Sequence, residues 1–329
     1  MNRMGGRKLN VQQLPLFATA AVFVVLYAIA AFRYPGFFSA RVLANFFTDN
    51  AVLGIVAVGM TFVILGGGID LSVGGMIGLS SILLARLIET SHLSALLAAM
   101  LLIVLGAGFG AAMGALIQFF ALPPFLVTLG GMFFARGLGF VIALQSISIS
   151  NPTYAQLAEW RLPLWGKIGL PLTAIVFILV FVLGLFLAHG TRFGRNVYAL
   201  GGNENSALLM GLPVAATKIG IYSLSGALSA LAGVVFTLYT FSGNPTAGNG
   251  LELDAIAAVV IGGTLLTGGV GYMAGTLLGV LIFGVIQTAL TFEGTLSSWW
   301  TRIAIGGLLL IFILLQKVCA LGSAHQRVP

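Results

Sequence analysis

Charge is what this sequence has least of. Of its 329 residues, 8 are Asp or Glu and 15 are Lys or Arg, 7% in all, where a soluble domain carries about 25%. So little charge excludes a water-soluble globular domain and, with a mean hydropathy of +1.09, leaves an integral membrane protein. Strand-like alternation in stretches of about ten residues is missing too, which excludes an outer-membrane barrel and leaves α-helices to satisfy the backbone in lipid. The single cysteine, Cys319, excludes an internal disulfide framework, and with three scattered histidines it makes no metal-ligand cluster. It reads as an inert thiol at the membrane edge. No metal or cofactor is therefore expected. A phosphate-binding Walker loop, an HExxH pair and a Ser, His and acid constellation are all lacking, so the chain offers no catalytic residues and no nucleotide-binding domain.

What the sequence has in abundance is apolar length. Runs of about twenty residues, enough to cross a hydrocarbon core, recur from Leu14 almost to Val318. Broken at polar, Pro and Gly clusters, they give about ten expected crossings: 13–32, 50–67, 70–88, 93–119, 124–144, 171–189, 217–240, 254–268, 272–292 and 301–318. Residues 13–318 form the transmembrane domain, 1–12 a segment before it and 319–329 a tail. The basic N-terminus leads into a run too long for a signal peptide and without a small-residue cleavage site, so the first helix is expected to be retained.

The formal charge of +7 is spread thinly and gathers at the ends of apolar runs, which marks membrane topology and not nucleic-acid binding. With both termini inside, the inner side collects Arg3, Arg7, Lys8, Arg192, Arg195, Lys218, Lys317 and Arg327. The outer side collects Arg33, Arg41, Arg86, Arg161, Lys167 and Arg302, together with most of the acids. The pairs Trp160 and Trp165, and Trp299 and Trp300, suit an interfacial aromatic belt. RYPGFFSARVLANFFTDN is expected to lie amphipathically along the outer surface.

Two stretches break the apolar pattern in the same way. GGGIDLS from Gly66 and GNGLELD from Gly248 both read Gly, any, Gly, aliphatic, acid, Leu, polar, and each closes one apolar run and opens another. Placed on opposite sides of the membrane, they suggest an inverted repeat, a common transporter plan. Glycine permits helix ends and tight turns, and Asp70 or Ser72 is suited to cap the next helix, with Asp254 in the equivalent place in the second copy. The alternative is that Asp70, Ser72, Glu252 and Asp254 line a translocation route, because an acid at membrane depth costs about 2.5 to 3.5 kcal/mol on insertion scales and needs a compensating role. Arg136, inside the fifth run, is open to three readings: snorkelling, pairing with an acid such as Asp70, or facing a polar pathway. GAGFGAAMG and GGVGYMAGTLLG are expected to be helix-packing surfaces.

The longest inner connection, within 190–216, contains NENSALLMGL followed by Pro. Cap-type residues, then Ala and Leu, then Gly and Pro mark a short amphipathic helix. It is too short to cross a bilayer and is suited to docking a soluble partner, or to packing on its own bundle.

The runs AVLGIVAVGMTFVILGGGIDLSVGG, RFGRNVYALGGNENSALLMGL, LELDAIAAVVIGGTLLTGGVG and GTLSSWWTRIAIG resemble the permease subunits of bacterial ATP-binding-cassette importers for monosaccharides, the ribose-type family, over nearly the whole chain. TDNAVLGIVAVGMTFVI and GTLSSWW are most similar to a permease of a galactofuranose importer. The resemblance implies an all-α polytopic type II importer fold of about ten helices in the bacterial inner membrane, without an ATPase of its own. It further implies a cytoplasmic ATPase partner, a second permease chain, identical or paralogous, and a periplasmic sugar-binding protein. It assigns 190–216 as the coupling segment and gives Asn203, Glu204, Asn205, Ala207, Leu208 and Gly211 the task of engaging the ATPase. An autonomous secondary transporter and an importer of branched-chain amino acids remain alternatives.

Overall fold

A computed structural model describes residues 14–165, 168–295, 297 and 299–325. The expected inner segment 1–12 with Arg3, Arg7 and Lys8, the outer Lys167 and the C-terminal Arg327 lie outside the described residues, as do the side chains of Trp165, Lys317 and Cys319.

The chain opens with the apolar helix α1 (Leu14–Arg33). Helix α2 (Ala40–Asp49) starts where Ser39 Oγ accepts the Val42 N–H at 3.3 Å. It buries Val42 and Phe46 and exposes Arg41, as an amphipathic surface helix should. At Asn50 the path bends by 59° into α3 (Ala51–Leu65). The Asn50 amide donates to the Phe46 carbonyl at 3.0 Å, so the bend leaves that acceptor satisfied. Next come α4 (Ser72–Glu89), α5 (Ala95–Phe119) and α6 (Pro124–Ile142). Pro124 occupies the first turn of α6, where its missing N–H costs nothing.

A connecting unit follows, made of β1 (Ile147–Ser148), α7 (Pro152–Glu159), β2 (Arg161–Trp165) and β3 (Ile168–Pro171), the last two pairing as an antiparallel hairpin. The second half contains α8 (Leu172–Gly190), α9 (Arg192–Gly202), α10 (Glu204–Leu209) and α11 (Val214–Thr240). It closes with β4 (Ser242–Gly243), which pairs with β1, then α12 (Leu251–Ile261), α13 (Met273–Glu293) and α14 (Trp299–His325). The connecting unit is fastened from both sides. Glu89 accepts from Ser150 N–H and hydroxyl, each at 2.8 Å, and buried Tyr154 meets Thr237 Oγ1 at 2.6 Å. Burial pushes the Tyr154 phenol up to about 12, so it stays a neutral partner for Thr237.

Helix α3 is the axis of the bundle: all of its residues but Val52 are buried, against α8, α11, α12 and α13. In lipid, burial of apolar side chains drives helix association less than close backbone packing does. The Gly-rich face of α5 accordingly lies on α11 so tightly that a Cβ at Gly106 would collide with Gly226 O and one at Gly110 with Tyr222 O. On α13, Gly275 and Gly279 approach α12 in the same manner. The outward faces of α5, α6 and α8 carry exposed Leu, Val and Phe, including Val104, Phe133 and Phe186.

Among the described residues seven helices are long and apolar enough to cross a membrane, or eight if the bent α2 and α3 count as one span. The sequence expectation was about ten. The difference lies in α14, whose apolar stretch Trp299–Leu314 is short, and in two short helices, α3 with 15 residues and α12 with 11. Helices α3 and α12 are both wrapped in protein, where irregular backbone at their ends finds partners that lipid would not provide. The tail expected from residue 319 begins inside α14, whose backbone runs on to His325.

Candidate functional site

The first glycine break ends α3 in a tight C-terminal turn. Gly67 N–H bonds Ile64 O and Gly68 N–H bonds Val63 O, both at 2.9 Å, and Gly67 has φ +81, a conformation that favours glycine. Asp70, fully buried, follows. Its Oδ1 accepts from Ser72 N–H at 2.9 Å and Ser72 Oγ at 2.6 Å, and its Oδ2 accepts from Ser225 Oγ of α11 at 2.6 Å. Asp70 thus serves the first turn of α4 and ties it to α11. The pairing of Asp70 with Arg136 does not form. The Arg136 guanidinium instead donates to the carbonyls of Pro245 and Ala247 at 3.0 and 2.9 Å.

Those carbonyls belong to the second break, which leads through Gly250 at φ +83 into α12. Here the sequence reading is corrected. Asp254 does not cap α12: the helix begins at Leu251 behind Gly250, so Asp254 already sits in its first turn and makes no capping bond. Glu252 is the acid that reaches back, its Oε1 accepting from Gly250 N–H at 3.2 Å. Its Oε2 is buried without a hydrogen-bond partner among the described residues, packed where Gly74 of α4 leaves space. Glu252 is near enough to Arg136 to attract it. Loop carbonyls, Arg136 and Glu252 therefore join α6, the 244–250 loop and α12, while Asp70, Ser72 and Ser225 form a separate cluster on α4 and α11. Half-buried Asp254 belongs to neither and faces α13 and α14 across a polar cavity.

The 190–216 connection folds into two capped helices. Thr191 Oγ1 accepts from Gly194 N–H at 3.2 Å to start α9, and Asn203 Oδ1 accepts from Ser206 N–H at 2.8 Å to start α10. Glu204 is held by Lys218 of α11 through a salt bridge of 2.6 Å, and Asn205 is exposed. Ala207 is 1% exposed and faces its own bundle, so it is not offered to a partner. Leu208 is 62% exposed, and Leu209 and Met210 are exposed further along the same turn. Gly211, at φ +76, turns the chain toward Pro213 and α11.

Three glycine segments meet beside this helix, although nothing local in the sequence brings them together. A Cβ at Gly201, near the end of α9, would strike Leu65 O at the end of α3 and lie 2.6 Å from Gly269 N. Gly269 N–H itself bonds Leu65 O at 2.9 Å, and a Cβ at Gly268 would come within 2.9 Å of Gly67. The first helix break, the turn between α12 and α13, and the approach to α10 are thus in backbone contact. A cavity of about 360 Å³ beside the junction is lined by Gly66, Gly67, Gly68, Glu204, Lys218 and Tyr222 among others. Such an arrangement can carry a push on α10 directly to the first break and to the α12–α13 turn.

A family model described as "Branched-chain amino acid transport system / permease component" matches residues 42–314. The inner membrane ABC transporter permease protein YjfF of Escherichia coli (strain K12) is 54% identical over 308 residues, 93% of this chain and 92% of the relative. The ribose import permease protein RbsC of Bacillus subtilis (strain 168) is 42% identical over 296 residues, covering 89% and 90% of the two chains. The fructose import permease protein FruG of Bifidobacterium longum (strain NCC 2705) is 36% identical over 335 residues, covering 97% and 95%. No solved structure matches the chain.

Proposed function

The chain belongs to the family of branched-chain amino acid transport system permease components, and from that membership we propose that it is the membrane subunit of an ATP-driven importer that carries a monosaccharide across the bacterial inner membrane. One observation carries the reading: over about nine tenths of its length the chain is similar to permeases named for ribose and fructose import. The family description mentions amino acids, whereas the relatives named for a cargo are ribose and fructose import permeases.

The exposed Leu208, Leu209 and Met210 then form the face that an ATPase grips, with Asn203 as the cap, Glu204 as the brace to Lys218 and Gly211 as the closing turn. Both termini lie in the cytoplasm, on the side of α9 and α10. The chain passes the membrane about ten times, with α3, α12 and α14 as passages beside the seven long apolar helices. The two halves form an inverted repeat: α4 packs on α5, α6 and α11, and α12 packs on α13, α14 and α3, the same set with first and second halves exchanged. The route runs near Asp70, Ser72, Arg136, Glu252 and Asp254, between this chain and a second permease, fed by a periplasmic binding protein.

Reconstitution with the ATPase and candidate binding proteins tests the cargo class. Ribose, fructose or galactofuranose is expected to stimulate ATP hydrolysis while leucine does not. Stimulation by leucine and by none of the sugars would overturn the monosaccharide reading.

A further inference from the structure

Between α12, α13 and α14 lies a cavity of about 380 Å³ whose polar lining consists of Asp254, Gln287, Thr291, Thr301 and Arg302, over a floor of Leu290 and Ile305. That volume falls at the small end of the range of about 300 to 1,000 Å³ for small-molecule sites. Its polar groups are unspent, unlike Asp70, whose carboxylate oxygens are both bound. The Asp254 carboxylate makes no hydrogen bond or salt bridge to a described residue, although Arg302 is near enough to attract it. Thr291 uses its hydroxyl proton on Gln287 O at 2.9 Å and keeps its lone pairs free to accept. Arg302, which also lines the cavity, lies over the Trp299 ring at 5.7 Å.

The corresponding place in the other half of the repeat is different. The cavity between α5 and α6, about 430 Å³, is walled by Phe109, Met113, Leu126, Phe134 and similar residues. If helix packing alone produced these hollows, the two would be alike in chemistry. The polar one therefore calls for a functional reason.

We propose that the cavity between α12, α13 and α14 is a monosaccharide subsite within the permease, a transient stop for one neutral polyhydroxyl ring. Asp254 and the Gln287 carbonyl accept from ring hydroxyls, Arg302 and the Gln287 amide donate to ring oxygens, and Leu290 and Ile305 take the apolar face of the ring. A phosphate headgroup would be attracted by Arg302 but repelled by Asp254. An amino acid would find Asp254 and Arg302 for its two charges but would leave Gln287, Thr291 and Thr301 without hydroxyls to serve. The affinity is weak, since a site on a transport route must also release its cargo. The inference rests on the monosaccharide reading above.

The single native cysteine makes a direct test convenient. In a Cys319→Ala background, Thr291→Cys in the purified full-length chain is labelled with a maleimide in the presence of D-ribose, D-fructose, D-galactose, L-leucine or glycerol phosphate. A bound sugar at twice its dissociation constant is expected to slow labelling about threefold. Adding Gln287→Ala is expected to remove the protection, and a cysteine at Ala112 in the apolar cavity is expected to show none. No protection by any of the three sugars, or equal protection by leucine or glycerol phosphate, would overturn the proposal. Sugar-stimulated ATP hydrolysis without protection would sink the subsite and leave the importer reading standing; loss of both would sink both.

Discussion

Replacing Leu208 and Leu209 together by aspartate is expected to abolish ATP-driven uptake while leaving the bundle folded. Both side chains are exposed, at 62% and 88%, so the substitutions cost the isolated permease little. In the assembled importer they would lie in an interface. Burying a leucine contributes about 1.5 to 3 kcal/mol, and an aspartate in its place adds an unpaired charge to an apolar contact. Two such losses, about 4 kcal/mol together, weaken association with the ATPase roughly a thousandfold. Co-purification of the ATPase with the variant, beside circular dichroism of the variant, checks this. Undiminished co-purification and uptake would remove α10 from the coupling role.

Gly201→Ala is expected to be among the most damaging additions of a single methyl group at the described residues, and Gly202→Ala next to it nearly silent. At Gly201 the new Cβ meets the Leu65 carbonyl and the Gly269 amide, whereas at Gly202 it meets nothing within 4 Å. Backbone cannot swing aside as a side chain can, so the first change forces α9 away from the α3 break and the α12–α13 turn. Overpacking of this kind costs about 1 to 3 kcal/mol. Because α10 itself is untouched, the ATPase should still co-purify with Gly201→Ala while sugar stimulation of its hydrolysis falls about tenfold or more, equivalent to about 1.4 kcal/mol of lost coupling. Equal stimulation in the two variants would show that the glycine junction does not transmit the push.

The parts of this site that are local in sequence were the legible ones. GGGIDLS announced a helix break with an acid beside it, and Asp70 does take the Ser72 N–H. NENSALLMGL announced a short capped helix, and α10 starts on the Asn203 side chain. Partners far along the chain were not legible: Ser225, which holds the other Asp70 oxygen, lies 155 residues away. Carbonyl acceptors carry no sequence mark at all, so the partners of Arg136 could not be foreseen. Asp254 was placed as a cap because the echo of GGGIDLS was followed residue by residue. Gly250 at positive φ starts the second helix earlier relative to its acids. Hydropathy, for its part, cannot tell lipid from a protein surround, so it does not mark α12 as the short, protein-wrapped helix it is. Ala207, to which the resemblance gives a coupling role, is instead the small residue of a short exposed helix that packs on the bundle at 1% exposure.

The central claim is that this chain moves its cargo only when an ATPase drives it through the coupling helix. Proteoliposomes containing the chain, its permease partner and the ATPase, with binding protein and sugar on the opposite face, measure it directly. The account predicts sugar accumulation that requires ATP and stops when the ATPase is left out. Accumulation by the chain without the ATPase, driven by an ion gradient, would contradict it.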